Sequence, residues 1–319
     1  MVLILFTLVF VVLRVLPGDP VAALEGRNIP EALLAARRHQ LGLDKPLYIQ
    51  YGEYLLTLFR GDFGRSLVGS ARIADQLLLK LPATLELAVA SMIVAVLVGI
   101  LMGATAAYRR NSVIDHAFKL YGMVIFSIPV FFLGLLFQLF FGLTLGLFPI
   151  GLRQSPLVDV QSITGFLIID SIITGNTGAA LDALHHLLLP SLTLGLYLSG
   201  IFVRISRVHM IETLRQDYVV AARARGLTER IVLFRYGLRN ALIPVITLIG
   251  LQFAALLAGA VLTETAFSWP GIGSFLFQGI LGRDYNAIQG AIVIYAGLVA
   301  VTSLVVDVIY AVVDPRIRY

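Results

Sequence analysis

Long stretches of this sequence carry no charge at all, and that constrains the fold more than any other feature. A membrane helix needs about 20 consecutive, mostly apolar residues. Six stretches reach or approach that length: 1–17, 87–108, 120–152, 187–203, 240–263 and 285–313. Arg14 and Asp307 are the only charged residues within them. No water reaches a bare backbone in hydrocarbon, so such stretches must become helices or a closed barrel. The short alternating strands of a barrel are absent. The pattern predicts an all-α membrane protein with six transmembrane helices. Pro129 and Pro190 fall inside apolar stretches and are expected to bend their helices.

The charged residues sit between these stretches. Only 13% of the chain is Asp, Glu, Lys or Arg, about half the share of a soluble domain. Counted by alternate loops, one side holds Arg109, Arg110 and Lys119, eight arginines from Arg204 to Arg239, then Arg316 and Arg318, against five acids. The other side is balanced or acidic, with eight basic and seven acidic residues in 18–83 and Arg153 facing Asp159, Asp170 and Asp182. Basic loops stay in the cytoplasm, so both termini are expected there. The net charge of +5 thus reflects topology and contact with lipid, and gives no reason to expect a nucleic-acid partner. Stretch 1–17 lacks the basic start and clean cleavage site of a secretory signal. It reads as a first helix whose beginning is missing from the sequence.

Three regions follow: the first helix at 1–17, an extracytoplasmic loop region at 18–83 with a short helix near 29–39, and a core at 84–319 with five further spans. The chain has no cysteine, which excludes disulfides, thiolate metal sites and a cysteine nucleophile. His185 and His186 lack the partners of a metal site and read as interfacial anchors. No Gly-x-x-x-x-Gly-Lys-Ser/Thr loop occurs, so any ATP must bind elsewhere. No triad or carboxylate dyad suggests an enzyme. Asp307 and Glu86, in or near apolar stretches, read as structural pairs or as pathway groups. Glu264, at the outer end of the fifth span, is a candidate for a pathway or gate.

The loop at 204–239 is unusually rich in helix formers. Asp217 is placed to cap a helix that Gly226 ends, and Thr228 to cap the next. Small side chains at Ala221 and Ala222, with Arg223 and Arg225 among them, suit either docking in another protein's groove or lying on anionic lipid.

The stretch from Tyr218 to Gly226 (Tyr-Val-Val-Ala-Ala-Arg-Ala-Arg-Gly), followed by Arg239-Asn-Ala-Leu-Ile-Pro244, resembles the EAA loop of binding-protein-dependent ABC importer permeases. Ala221, Ala222, Gly226 and Pro244 match that motif, and Val220 stands where its Glu would be. Seven further stretches resemble the dipeptide/oligopeptide branch, B-type permease subunit. They begin at Leu13, Leu41, Gly61, Leu81, Phe267, Arg283 and Asp314. The resemblance implies a type I importer permease fold in a bacterial inner membrane, with the loop forming a coupling helix. It further implies a second permease subunit, two ATPase subunits that hold ATP and Mg, and an extracytoplasmic solute-binding protein. No cofactor and no catalysis are expected in this chain. Tyr218, Ala221, Ala222, Arg223, Arg225, Gly226 and Pro244 are the implied coupling residues. Di- or oligopeptides are the implied cargo; nickel or glutathione are the alternatives, and a self-sufficient secondary transporter is a reading of another class.

Overall fold

A computed structural model describes residues 44–69 and 71–313, together with 4, 6–8, 10, 11 and 39. The expected first helix, the short helix near 29–39 and the tail from 314 lie wholly or mostly outside these. Among the described residues every regular element is helical, apart from one bridge between Arg65 and Arg72. In chain order they are α1 (Leu47–Phe59), α2 (Ile73–Tyr108), α3 (Val113–Ser127), α4 (Val130–Phe137), a π-helical turn (Gln138–Thr144), α5 (Leu167–Ile173), α6 (Thr177–Leu214) and α7 (Asp217–Ala224). A single turn at Glu229–Ile231 and a π-helix at Val232–Leu238 lead to α8 (Arg239–Gly259), α9 (Val261–Ala266), α10 (Ile272–Leu281) and α11 (Tyr285–Val313).

Three helices, Ile73–Tyr108, Thr177–Leu214 and Tyr285–Val306, are each long and apolar enough to cross a bilayer. Two bent pairs, Val113–Ser127 with Val130–Thr144 and Glu229–Leu242 with Pro244–Leu257, raise the number to five if each is one span. The chain is therefore multi-pass among the described residues. The first bend, of 102°, has a local cause. A residue before proline is driven out of the helical region, and Ile128 is extended with φ −84° and ψ 128°. At Pro190, where a bend was expected, α6 continues unbroken from Thr177 to Leu214. α2 likewise runs through Pro82, so the boundary drawn at 83/84 falls inside a helix.

At the centre, α2 and α6 lie side by side. Their approach depends on small residues, as expected where lipid leaves no hydrophobic drive between helices. Gly99 and Gly103 form a Gly-x-x-x-Gly face on α2; a Cβ on Gly99 would stand 2.2 Å from the Phe202 Cβ of α6. Around this seam Ala88, Met92 and Ala95 pack with Leu198 and Phe202, and Val245, Leu256 and Leu257 of α8 close the cluster. Beyond it, α8 packs on α11, α3 on α6, and α10 on α11.

Candidate functional site

The segment after α6 is a short helix, α7, with one face packed on the chain and the other exposed. α7 starts one residue after Gln216, which holds the N-cap position; Asp217 lies inside the first turn and makes no capping hydrogen bond. A carboxylate there still favours the helix dipole. Val219 and Ala222 are fully buried against Val232, with Leu214, Leu227 and Tyr236 around them. Ala222 therefore packs inside the chain, whereas Tyr218, Val220, Ala221 and Arg225 are exposed. Gly226 takes φ +78°, a left-handed conformation that glycine enters without the Cβ penalty. Across this turn the Arg223 Nε donates to Glu229 Oε1 at 2.8 Å, so Arg223 already has a partner within the chain. The Tyr218 hydroxyl accepts from Asn240 Nδ2 at 3.0 Å, tying α7 to the start of α8. Pro244 lies at the 45° bend of the pair that follows α7.

At the opposite end, a buried carboxylate holds a sharp turn. Glu264 of α9 is fully buried. It accepts the Thr84 hydroxyl at 2.7 Å and the Ser274 N–H at 2.9 Å. Thr84 in turn accepts the Ile272 N–H at 2.8 Å, and the Trp269 indole N–H donates to the Ala83 carbonyl at 2.8 Å. A Cβ on Gly271 would stand 2.4 Å from the Glu264 carboxylate, so the turn closes against the acid itself. Trp269 is thus a buried anchor, and α10 follows it as a short helix.

Glu86 is also engaged. Arg153 donates to its Oε2 from Nε at 3.0 Å and from Nη2 at 2.6 Å, and Ile168 N–H reaches its Oε1 at 3.3 Å. Glu86 and Glu264 are therefore both turned into the chain's own packing. The side chain of Asp307 lies outside the described residues. Ser66 and Asp284 meet at 2.5 Å, and Asn286 Nδ2 donates to the Arg65 carbonyl at 2.8 Å. The stretches beginning at Gly61 and Arg283 thus form one contact.

Two acid clusters escaped the sequence reading. Asp115, fully buried, receives Arg207 Nε at 2.6 Å and Nη2 at 2.9 Å, with Lys119 Nζ 3.4 Å away. Asp170, also buried, accepts the N–H groups of Ile163, Thr164 and Gly165 and the Thr164 hydroxyl. Burial alone would raise its carboxyl, but these donors hold it below the usual value. An acid between apolar runs was the available signal; Arg207 lies 92 positions from Asp115, whereas the donors to Asp170 lie only 5–7 positions before it, in a loop without regular structure. His185 and His186 hydrogen-bond the Leu147 and Asp182 carbonyls, and among the described residues no group of three or more potential metal ligands occurs.

The described residues thus form a multi-pass helical bundle in which the short helix α7, between α6 and α8, leaves one face exposed. Residues 95–319 match the family described as binding-protein-dependent transport system inner membrane component, and 1–88 match its N-terminal companion. The chain is 44% identical over 313 residues to a di/tripeptide transport system permease protein of Pseudomonas aeruginosa (strain UCBPP-PA14), covering 98% of this chain and 93% of the relative. It is 40% identical over 316 residues to the dipeptide transport system permease protein of Escherichia coli (strain K12), with 98% and 93% covered. A glutathione transport system permease protein of Salmonella choleraesuis (strain SC-B67) is 36% identical over 317 residues, with 99% and 94% covered. The chain belongs to the binding-protein-dependent transport system inner membrane component family. Within it, the chain is a member of the dipeptide/oligopeptide branch of ABC importer permeases, as the sequence motifs implied.

Proposed function

We propose that this chain is one of two permease subunits of an ATP-driven importer and carries di- or oligopeptides across the bacterial inner membrane. A solute-binding protein delivers the peptide at the face of the Glu264 turn. Two ATPase subunits act on the face of α7, and both termini lie on that cytoplasmic side of a six-span bundle. The observation that carries this reading is the α7 lever. One face is fixed to the chain through Val219 and Ala222, and the other, with Tyr218, Val220, Ala221 and Arg225, is exposed. A push on that face reaches α8 through the π-helix and the bend at Pro244. Glutathione is a tripeptide, and the relative named for its transport makes it the second cargo to test.

The test is uptake of a labelled dipeptide into vesicles holding the assembled importer, with ATP supplied on the α7 side. ATP-dependent accumulation that needs the binding protein supports the proposal. Accumulation driven by an ion gradient with this chain alone would overturn it.

A further inference from the structure

Near the α7 end of the bundle lies a cavity of about 490 Å³ between the end of α2, the start of α3, α6 and the π-helix. It is many times the roughly 30 Å³ that one water occupies in the liquid. Its lining is almost wholly apolar, with Ile114, Ala117, Phe118 and Leu233 prominent. Arg109 lines it too, at the point where α2 passes from apolar sequence into Arg109-Arg110. Tyr108 beside it is another lining residue, and tyrosine with arginine is the pairing found where a membrane meets water.

A second cavity adjoins the first, since Phe234 lines both, and it brings Arg230 and Arg235. Among the described residues no acid lines either cavity. Arg109, Arg230 and Arg235 also form no ion pair there. By contrast, Arg153, Arg207 and Arg223 each hold a carboxylate. Arg109, Arg230 and Arg235 thus border an apolar hollow without a carboxylate partner among the described residues.

The hollow continues into surface of one chemistry. On α2, Leu97 and Leu101 are 56% and 64% exposed, and they share a helical stripe with the lining residues Thr105 and Tyr108. On α3, Leu120 and Val124 are 60% and 50% exposed, on the stripe of Ala117. Both stripes run from the cavity along helices that are part of membrane spans. A chain entering the cavity from that side is a hydrocarbon chain.

We propose that this cavity is a binding site for an anionic phospholipid, with an acyl chain along the α2–α3 groove and its phosphate among Arg109, Arg230 and Arg235. The site would anchor the π-helix, and with it the lever, to the membrane surface. It does not depend on the identity of the cargo.

The test reads lipid contact directly, on the full chain reconstituted in vesicles. Phe234→Trp places a fluorophore at the cavity; the chain's one native tryptophan, Trp269, is buried and supplies the baseline. Brominated phosphatidylglycerol and brominated phosphatidylcholine are compared as quenchers. The expected result is preferential quenching by phosphatidylglycerol, at about fivefold for each arginine engaged. Arg109→Gln, Arg230→Gln and Arg235→Gln together should abolish the preference, and the corresponding triple Lys variant should keep it. Equal quenching by both lipids would reduce the cavity to an apolar lipid-facing surface and overturn the proposal. Absence of quenching by either, while Leu120→Trp is quenched, would show that a protein partner covers the cavity and would overturn it as well.

Discussion

The Thr84 hydroxyl donates to Glu264 at 2.7 Å while accepting the Ile272 N–H at 2.8 Å. One hydroxyl thus joins α2, α9 and the start of α10, with both of its bonds buried. Thr84→Val keeps the shape and removes both bonds. An unsatisfied buried group costs about 1–3 kcal/mol, so the variant should unfold at clearly lower temperature in detergent, whereas Thr84→Ser should stay near the parent. Equal thermal midpoints for the Val variant and the parent would show that the bonds contribute nothing.

The turn at Gly271 predicts a second effect in the same cluster. The Glu264 carboxylate cannot swing away from a new Cβ without abandoning Thr84 and Ser274. Gly271→Ala should therefore destabilise by the about 1–3 kcal/mol typical of overpacking. Glu264→Asp draws the carboxylate back by one methylene, so the two substitutions together should be less harmful than their sum. A double-mutant cycle with coupling below about 0.5 kcal/mol would contradict this arrangement.

These contacts mark the limit of what could be read from sequence. The apolar runs announce helices because hydrocarbon leaves the backbone no other choice. The break at Pro129 was legible because proline acts on its neighbour. Gly226 was legible because its left-handed turn is a local demand. Local signals did not show that Ala222 faces inward, since Ala221 and Ala222 are chemically identical and only the packing on Val232 separates them. Nor did they pair Arg223 with Glu229, or Glu86 with Arg153 across 67 positions. The Gly99-x-x-x-Gly103 face was present as a pattern, but only Phe202 of α6 gives it meaning.

Asp170 makes stability depend on acidity. Burial opposes its charge, yet the four donors from 163–165 win and keep the folded carboxyl below its usual value. A depressed folded value means stability that is present above the unfolded value, about 3.9. It is lost as pH falls from there through the folded value. Asp170→Asn should remove that acid-limb contribution. Unfolding midpoints of parent and variant, followed from neutral pH to about 3, should therefore converge as pH falls. A constant gap across that range would refute the assignment.

Asp115 and Arg207 form a buried pair at the α7 end of the bundle. Removing one partner of a buried pair typically costs about 3–5 kcal/mol; Lys119 at 3.4 Å and the Asn111 N–H at 2.9 Å still hold Asp115, which places the loss toward the lower end of that range. Arg207→Met should therefore be severely destabilising. Asp115→Asn added to it should recover much of the loss, because no buried charge then remains and the partly exposed Lys119 can turn to water. If the double variant is as unstable as Arg207→Met, the loss came from packing and the pair is not what holds α3 to α6.

The Arg223–Glu229 bridge separates two roles for the lever. Both side chains are partly exposed, at 40% and 46%, so the bridge itself contributes little to global stability. Its effect is on the turn at Gly226, whose shape sets how α7 presents Tyr218, Val220 and Ala221. Arg223→Glu alone places two acids across the turn and, on the proposed function, should weaken retention of the ATPase subunits during purification. Exchanging the pair, Arg223→Glu with Glu229→Arg, restores attraction within the chain. If the arginine acts through Glu229, the exchanged variant should retain the ATPase as the parent does. If Arg223 instead contacts an acid of the ATPase directly, the exchange leaves that acid facing a glutamate and retention stays low. Co-purification ratios of the two variants decide between these outcomes, and the internal bridge predicts recovery.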